Sequence, residues 1–455
     1  MSRTLGERLG SKVVVPQDEL YEEKRKVWNG AINRYPNAIV LCQSEADVVA
    51  AVQYANEQAM SIAIKGGGHH VAGTGVCDDG LMIDLSEMRK VKVDEKRKVA
   101  IVQGGATLGD VDKETQKYGL ATPTGTVSET GIAGLALGGG LGYLRGKYGL
   151  TCDNLVGARV VTANGIVRHV SADEHADLFW AIRGGGGNFG VVTSFEFQLH
   201  EVGPEVLGID VMYDYKDAKR IFTKAQQFLN DAPDEVSFNL TAMELPPAPF
   251  LPEFLHHKKV VAVSGMYAGD PKEGEEIVQP IREWAVPIVD QTGVMSYVEL
   301  QSKLDVLVEN NIPVYGTSLY FSELNEETVD VLMEKLDHAP VPTVLSQLWA
   351  LHGQMNRVPE SETPFSVRDA SFVLLLDAMA MPGMDEDVIE QWIHSIYTDL
   401  LPYSHRNASY LNGIGTIESA TKATYAANYD RLVGIKKKYD PKNLFRHNHN
   451  VNPND

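Results

Sequence analysis

The strongest constraint on how this chain can fold is the clustering of its glycines. The sequence contains 455 residues and 41 glycines, and glycine-rich segments recur before residue 200. Glycine tolerates positive φ and lets the backbone come close to a ligand, and successive backbone N–H groups in such loops bind anions. Several of these loops in one stretch predict a long, phosphate-bearing cofactor that runs along a single domain.

The first glycine-rich segment spans residues 65–73, KGGGHHVAG, and follows a predicted strand at 61–65. A single histidine is as often a surface or core residue as a ligand-binding one. Two histidines after three glycines are harder to assign to packing alone, because flexible, exposed backbone can present both imidazoles to a ligand. His69 and His70 are therefore candidate binding residues.

Two further glycine-rich segments lie at 125–142 and 184–190. A simple connector gains nothing from so many glycines, because each one costs backbone entropy on folding. The later segment contains Gly-x-Gly-x-x-Gly at Gly185, Gly187 and Gly190, which is the pattern of a Rossmann dinucleotide site. That fingerprint follows a strand and opens a helix, whereas here a helix is predicted before it and a strand after it. The Rossmann interpretation is therefore rejected.

Hydrophobic periodicity predicts short alternating elements before residue 200 and longer ones after it. The first region includes a hairpin at 160–168, with Asn164-Gly165 as its type I′ turn. Beyond residue 203, long strands and helices predict an antiparallel sheet with covering helices. The strands predicted there are 259–266, 315–321, 344–351 and 371–379, and the helices are 217–232 and 326–338.

The chain divides into three parts, which together predict an α+β fold. Residues 1–202 hold the glycine-rich loops, and residues 203–405 hold the predicted antiparallel sheet. Residues 406–455 form a tail with one predicted helix at 422–439 and a polar end.

Composition excludes several classes of protein. The 61 acidic and 41 basic side chains give a formal net charge of −20, which disfavours nucleic acid and anionic lipid as partners, since both need a basic surface. No apolar stretch is long enough to cross a bilayer, and the first residues lack the apolar region of a secretory signal. Three scattered cysteines are too few for a disulfide framework or a cysteine-rich metal site. A reduced, cytoplasmic protein without a metal site is expected.

Four segments, taken in order, resemble the berberine bridge enzyme-like oxidoreductases: IKGGGHHVAG, GTVSETGIAGLALGGGLGYLRGKYGLTCDN, LFWAIRGGGGNFGVVTSFEF and NYDRLVGIKKKYDPKNLFRHNHNV. This family belongs to the larger group that shares the flavin domain of vanillyl-alcohol oxidase and p-cresol methylhydroxylase. Within the family, the resemblance is to bacterial members of the 6-hydroxy-D-nicotine oxidase type. The resemblance implies FAD and a two-part FAD-binding domain, residues 1–202 and 406–455, with a substrate-binding domain inserted at 203–405.

In this family the histidine of the first loop is bonded covalently to the flavin 8α-methyl carbon, and His69 occupies that position. Many members carry a second, cysteinyl link, but Val127 stands at the matching place, so the resemblance implies one link only. Lys65 and Gly66 depart from the Arg-Ser of the family, and His70 stands where relatives have Ser or Asn. The resemblance also assigns these three positions to FAD, together with Gly67, Gly68, Gly73, Thr126, Val127, Glu129, Thr130, Gly131, Ala133, Gly134, Gly140, Leu141, Gly142, Asn154, Asn188, Gly190, Val191, Asn448 and Asn450.

The substrate side is less clearly specified. On the strand predicted at 344–351, alternation places Gln347 and Trp349 on one face, which suits a pocket wall of mixed polarity. A sheet surface covered by a helix fits that pattern equally well. Some relatives place a catalytic carboxylate near the position of Gln347, whose amide cannot act as a base. By resemblance, Tyr429 is a candidate proton acceptor close to the flavin, with a packed core tyrosine as the alternative. Weaker candidates are His352 and Tyr320.

These expectations combine into one functional hypothesis with two alternatives. The chain is predicted to be an FAD-dependent oxidase that takes a hydride from a carbon bearing an alcohol or an amine, with O2 as electron acceptor. One alternative is oxidative ring closure in secondary metabolism, which shares the cofactor and differs in the product. The other is a flavin or metabolite binder without catalytic activity.

Overall fold

The computed structural model describes residues 4–249, 251–415 and 420–455. Within these ranges, no helix is both long and apolar enough to traverse a lipid bilayer. The strands are β1 Val13–Val14, β2 Ala38–Leu41, β3 Ile62–Lys65, β4 Leu81–Asp84, β5 Val91–Asp94, β6 Val99–Gln103, β7 Leu120–Ala121, β8 Leu155–Val161, β9 Val167–Ser171, β10 Val191–Gln198, β11 His200–Glu201, β12 Glu205–Asp214, β13 Val236–Glu244, β14 Lys259–Tyr267, β15 Pro287–Asp290, β16 Gly293–Ser296, β17 Val314–Phe321, β18 Val344–Ala350 and β19 Phe372–Met379.

The α-helices of the described residues are mostly short before residue 200 and longer beyond it. They are α1 Leu5–Leu9, α2 Tyr21–Lys24, α3 Glu45–Glu57, α4 Leu108–Thr115, α5 Ile132–Leu137, α6 Arg145–Tyr148, α7 Ala176–Ala181, α8 Ala218–Leu229, α9 Pro271–Val278, α10 Tyr297–Ser302, α11 Glu326–Asp337, α12 Gln354–Arg357, α13 Glu386–Leu400, α14 Ala420–Tyr425 and α15 Tyr429–Tyr439.

Two small sheets form before residue 200. In the first, β2, β4 and β3 pair in parallel, and β1 adds an antiparallel edge. Parallel strands of one sheet need crossover connections, and α3 lies in the connection from β2 to β3, which are parallel strands on either side of β4. It begins with a capping box in which Ser44 and Asp47 satisfy each other's backbone N–H groups. The second sheet is antiparallel, in the order β5-β6-β10-β8-β9.

Eight strands of the described chain form one large antiparallel sheet, in the order β15-β12-β14-β13-β18-β19-β17 with β16 beside β12. One face is covered by α8, α9, α11 and α13, which share its apolar core. Side chains alternate across the strands, so on β19 Leu374 and Leu376 face these helices. Leu375 and Asp377 point the other way, into a cavity. The predicted antiparallel sheet with covering helices is therefore observed.

The tail packs against the first part of the chain. Tyr425 and Leu432 belong to the apolar cluster formed by the antiparallel sheet of β5, β6, β10, β8 and β9. Leu444 and Phe445 belong to the cluster around α3 and the parallel sheet. The two ends of the sequence therefore meet around the glycine-rich loops.

The hairpin turn differs from the prediction. A type I′ turn needs positive φ at both central residues, and Gly165 has it, at 72°, whereas Asn164 does not. The N–H of Gly165 donates to the carbonyl of Thr162 at 2.8 Å, and the N–H of Thr162 donates to the carbonyl of Ile166 at 3.1 Å. The loop therefore has three residues, because it also includes Ala163, and the predicted turn type is wrong.

The tail helix is interrupted where the sequence predicts it to be continuous. A short 3₁₀ turn at Ala426–Asn428 separates α14 from α15, and Ala426 has a φ of 45°. A residue with positive φ cannot continue a right-handed helix. Periodicity therefore predicts the extent of this segment but not the break within it.

Candidate functional site

A cavity of about 380 Å³ lies between the glycine-rich loops, the uncovered face of the large sheet and the tail. The first loop contributes residues 66–71 to its wall, and the tail contributes residues 410–413 and 447–449. The large sheet contributes a row of cavity-facing side chains: Leu345, Gln347, Trp349, Leu375, Asp377 and Met379.

The first two glycine-rich segments meet backbone to backbone in this wall. A Cβ atom on Gly67 would lie 2.4 Å from the N atom of Gly131, and a Cβ atom on Gly131 would lie 2.3 Å from the N atom of Gly67. Neither position can carry a side chain unless the two loops separate. Within the described residues, the backbone N–H groups of Gly67 and Gly68 donate to no acceptor, so they remain available to an anion.

His69 has a ring nitrogen without a partner. Its Nε2 atom is buried and forms no hydrogen bond within the described residues. The ring stacks on Trp28, with 4.6 Å between the ring centroids and 15° between the planes. Burial lowers the pKa of His69 to about 4, so the imidazole is neutral at neutral pH. A neutral, oriented imidazole with a free nitrogen can act as a nucleophile or as a ligand.

His70 differs from its neighbour because both of its ring nitrogens have partners. Its Nε2–H donates to the carbonyl of Leu411 at 2.9 Å, and its Nδ1 accepts the backbone N–H of Ala72 at 3.1 Å. The same carbonyl accepts a hydrogen bond from Nε2 of His449 at 2.8 Å. His70 therefore joins the first loop to the tail and has no nitrogen left for a ligand.

Comparison with known proteins identifies the family. A model described as FAD binding domain matches residues 36–171, and one described as Berberine and berberine like matches residues 409–452. An FAD-linked oxidoreductase of Dictyostelium discoideum is 32% identical over 441 residues, which cover 96% of this chain and 93% of that protein. The chain belongs to the berberine bridge enzyme-like FAD-linked oxidoreductases. The predicted family, enzyme class and FAD cofactor are thereby confirmed.

Two further relatives bear on this family assignment. The glucooligosaccharide oxidase of Sarocladium strictum is 30% identical over 478 residues, covering 96% of this chain and 92% of that protein. The crystal structure of 6-hydroxy-D-nicotine oxidase from Arthrobacter nicotinovorans matches with a TM-score of 0.87 at 29% identity, and 100% of both chains is covered. This match confirms the predicted α+β fold with an FAD-binding part of the vanillyl-alcohol oxidase type.

Three features of the cavity in this family member fit FAD. Free backbone N–H groups at Gly67 and Gly68 suit a pyrophosphate, and the many apolar side chains of the wall suit an aromatic ring system. The third observation is that buried polar atoms of His69 and Asn448 lack partners within the described residues. A buried polar atom without a partner is costly in a finished site. A cofactor that contacts these atoms removes that cost.

The structure places many of the predicted site residues together. Those that line the cavity are Gly66, Gly67, Gly68, His69, His70, Thr126, Val127, Thr130, Gly131, Ala133, Gly134, Leu141, Gly190, Gln347, Trp349 and Asn448. The other predicted residues do not line it: Lys65, Gly73, Glu129, Gly140, Gly142, Asn154, Asn188, Val191, Asn450 and Tyr429. The weaker candidates His352 and Tyr320 also lie outside it.

Several residues outside the cavity hold the surrounding loops in place. The Asn154 amide donates to the carbonyls of Tyr148 and Leu150, at 2.8 and 2.9 Å. The Lys65 ammonium lies 3.2 Å from a carboxylate oxygen of Asp84. Cβ atoms on Gly140 and Gly142 would meet Thr151 and the carbonyl of Thr124, at 2.2 and 1.6 Å. These contacts within the protein account for the residue type at each of these positions, and none of them involves a ligand.

Tyr429 is a correction to the sequence prediction. Its hydroxyl donates to the Asp455 carboxylate at 2.5 Å, and its ring packs in the core of the first part of the chain. Tyr410 and Tyr425 are tail tyrosines that line the cavity, and Tyr425 lies four residues before Tyr429. The break at Ala426 lies between the two residues, so a continuous helical periodicity could not have distinguished them.

Sequence reasoning missed two residues that matter for the site. Trp28 precedes the first loop in a segment without glycine, so no motif marks it. Asp377 is an acidic residue in the otherwise apolar strand β19, and this exception in the pattern was a usable indication. On the neighbouring strand, Gln347 accepts a long hydrogen bond of 3.4 Å from Trp349 Nε1, so the two predicted wall residues contact each other.

Proposed function

We propose that this protein is an FAD-dependent oxidase of a small-molecule alcohol or amine, with its flavin bonded covalently through His69 alone. It removes a hydride from the carbon that bears the hydroxyl or amino group, and O2 is the electron acceptor. The observation that carries the proposal is the free, buried Nε2 atom of His69 in a cavity wall built from glycine-rich loops.

FAD, when bound, supplies the hydride acceptor, and the protein supplies position and electrostatics. His69 is the point of attachment, and the stacked Trp28 ring limits rotation of its imidazole. The free N–H groups of Gly67 and Gly68 bind the anionic part of the cofactor. The apolar side chains of β18 and β19 exclude water from the reacting carbon.

A single covalent link is supported by the side chains that are present. Val127 lines the cavity at the place where many relatives have a cysteine, and valine has no nucleophilic atom. Cys152 is buried and does not line the cavity, and burial raises the pKa of its thiol far above the ordinary value. Neither residue offers a thiolate, which is the nucleophilic form of cysteine.

The acceptor and the reaction class are supported by the relatives' names. The similar proteins from Sarocladium strictum and Arthrobacter nicotinovorans are a glucooligosaccharide oxidase and a 6-hydroxy-D-nicotine oxidase. With O2 as acceptor, oxidation of a substrate by this protein yields hydrogen peroxide. Product analysis distinguishes simple oxidation, which gives a carbonyl or imine, from oxidative ring closure.

We also infer which parts of the chain form the two domains. Residues 1–202 and 406–455 form the FAD-binding domain, and residues 203–405 form the substrate-binding domain. The packing of the tail into the apolar clusters of the first part supports this division. A reduced, cytoplasmic location is part of the same proposal, and it is consistent with the buried, unbridged cysteines Cys42, Cys77 and Cys152.

The attachment is tested by denaturing the purified protein in acid and measuring flavin absorbance in the washed pellet. We expect a yellow pellet for the wild-type protein and a colourless one for His69→Ala, because the alanine side chain has no nitrogen to hold the flavin. A colourless wild-type pellet contradicts the covalent link.

His70→Asn is the matched control for this experiment. Both ring nitrogens of His70 form hydrogen bonds within the protein, so its replacement should leave the pellet yellow. If His69→Ala keeps the colour and His70→Asn loses it, the attachment belongs to His70. Peroxide release with a panel of alcohols and amines then tests the oxidase activity.

A further inference from the structure

We propose that Asp377 is the anchor for the positively charged amino group of an amine substrate, so that the cavity selects amines over alcohols of the same shape. This inference rests on the proposed function, because it takes the cavity as the substrate site of an FAD-dependent oxidase. It narrows the substrate class to amines with an apolar body that bind as ammonium ions. The ionised Asp377 then accepts one N–H proton, because only the neutral amine has the lone pair that lets its carbon give up a hydride.

The position of Asp377 brings its carboxylate close to the loop that carries His69. Its cross-strand neighbours are Gly316 on β17 and Leu345 on β18. A Cβ atom on Gly316 would lie 2.3 Å from Oδ1 of Asp377 and 3.4 Å from Cγ2 of Val71. The carboxylate therefore occupies the space that a side chain at position 316 would fill. Val71 is two residues beyond His69, so the carboxylate lies at the same end of the cavity.

The carboxylate of Asp377 has no partner in the part of the chain that the structure describes. Burial alone shifts its pKa, without a contribution from a charged neighbour or a hydrogen bond. Among the described residues that line the cavity, it is the only acidic one, and no lysine or arginine accompanies it. Carboxylates removed from water are normally paired, so this one is available to a cationic ligand.

The histidines of the cavity do not supply the missing positive charge. Burial lowers the pKa of His69 and His447 to about 4 and that of His449 to about 3, and it also lowers the pKa of His70. At neutral pH all of them are uncharged. The wall therefore presents one ionisable acid and no compensating cation.

The surroundings of Asp377 favour an ammonium over a hydroxyl. An alcohol offers one neutral donor, whereas an ammonium offers several N–H donors and the opposite charge, and charge-assisted hydrogen bonds are roughly twice as strong as neutral ones. The side chains that flank the carboxylate along the sheet are Leu345, Leu375 and Met379. They fit an apolar group attached to the nitrogen.

Ionisation of Asp377 gives this proposal a second readout. Burial raises its pKa to about 7, so near neutral pH a part of the population carries a protonated carboxyl group. A bound ammonium stabilises the ionised form. Binding of an amine at pH 7 should therefore release protons, whereas an alcohol should release none.

The test is calorimetric titration, without O2, of the holoenzyme with its flavin reduced beforehand, so that the protein cannot oxidise the ligand. The probes are matched pairs: benzylamine with benzyl alcohol, and tryptamine with tryptophol. Titration at pH 7 in phosphate and in MOPS, whose ionisation heats differ and neither of which is a primary amine, counts the protons released. We expect each amine to bind roughly tenfold or more tightly than its alcohol, with proton release for the amines alone.

Two variants assign the effect to Asp377. Asp377→Asn keeps the shape but not the charge, and it should abolish both the preference for amines and the proton release. Gly316→Ala keeps the charge but places a Cβ atom against Oδ1, so it should weaken amine binding. Asp112→Asn is the control, because Asp112 is another buried acid whose pKa burial raises to about 7, and it does not line the cavity. It should change neither readout.

The outcomes separate this inference from the proposed function. Equal binding of amines and alcohols by the wild-type protein, or an amine preference that survives in Asp377→Asn, overturns the role of Asp377. A colourless acid pellet overturns the covalent link alone if the protein still prefers amines and Asp377→Asn abolishes that preference. A yellow pellet without any amine preference leaves the covalent flavin and rejects the amine anchor.

Discussion

The free nitrogen of His69 depends on the residues that pack around it. The Trp28 ring covers one face of the imidazole and offers no acceptor to Nε2. One residue further along, the Leu411 carbonyl and the Ala72 N–H occupy both nitrogens of His70. Two adjacent residues of one type thus differ in chemistry because their surroundings differ.

We expect Trp28→Ala to lower the fraction of flavin that remains attached after acid denaturation, because the imidazole loses the surface that fixes its orientation. Trp28→Phe keeps a flat ring at this position and should retain the wild-type fraction. Flavin absorbance of the washed pellet, divided by protein content, measures that fraction. Equal retention by the alanine variant would falsify a positioning role for Trp28.

For individual residues, the sequence predicts the site best where backbone atoms form it. Gly67 and Gly131 could be predicted, because the close approach of two loops excludes every side chain. Asp377 could not be assigned to the cavity from its strand alone, since alternation shows which residues share a face but not what that face contacts. Tyr429 was misplaced for a related reason, because one backbone break changes which tyrosine faces inward.

Among the structural elements, the loop before β10 is joined to the end of the tail by the side chain of Asn188. The Asn188 amide donates to the carbonyls of Gly185 and His449, at 2.9 and 3.1 Å, and its Oδ1 accepts the N–H of Val451 at 2.9 Å. Asn188 was predicted to contact the cofactor. In the structure its side chain positions the tail segment that forms part of the cavity wall.

We expect Asn188→Ala to lower the free energy of unfolding by about 1–3 kcal/mol, because it leaves buried backbone groups without partners. Asn188→Asp should fall between the alanine variant and the wild type, since a carboxylate still accepts the Val451 N–H but cannot donate to the carbonyl of His449. Urea unfolding measures the stability, and amide hydrogen exchange of residues 447–451 measures the order of the tail. Wild-type exchange in the alanine variant would show that the tail is held elsewhere.

Local sequence patterns predict the regular parts of the strands and helices better than they predict the turns and breaks between them. The strand predicted at 371–379 is observed as Phe372–Met379, because alternation and apolar character agree along it. The turn type of the hairpin at Asn164 and the helix break at Ala426 were missed, because each depends on the φ angle of one residue. Tertiary packing sets those angles, and no local periodicity reports them.

In the whole molecule, buried polar contacts join the first 200 residues to the large-sheet region. Asp112 on α4 accepts hydrogen bonds from Thr124 Oγ1 at 3.2 Å and from Gln301 Nε2, on α10, at 3.3 Å. Arg145 is fully buried and donates to backbone carbonyls of both regions. The cavity could not be predicted as a unit, because distant parts of the sequence form its walls only after these contacts are made.

The pH dependence of stability should report the contact at Asp112. Burial raises the pKa of Asp112 from 3.8 to about 7, so its contribution is complete below about pH 4 and is lost as the pH rises to about 7. Asp112→Asn removes this dependence. Relative to the wild type, the variant should therefore gain about 1 kcal/mol of unfolding free energy per pH unit across this window. Urea unfolding between about pH 5 and about pH 8 measures the difference, and parallel profiles would contradict a buried, titrating Asp112.

The wall of the cavity that residues 447–449 form has a consequence for experiments with shortened proteins. These residues lie in sequence far from the glycine-rich loops, yet they line the same cavity. A variant that lacks them has a cavity that is open to solvent on this side. Loss of a bound molecule from such a variant therefore reports the missing wall as well as any missing contact, and only point substitutions can separate the two effects.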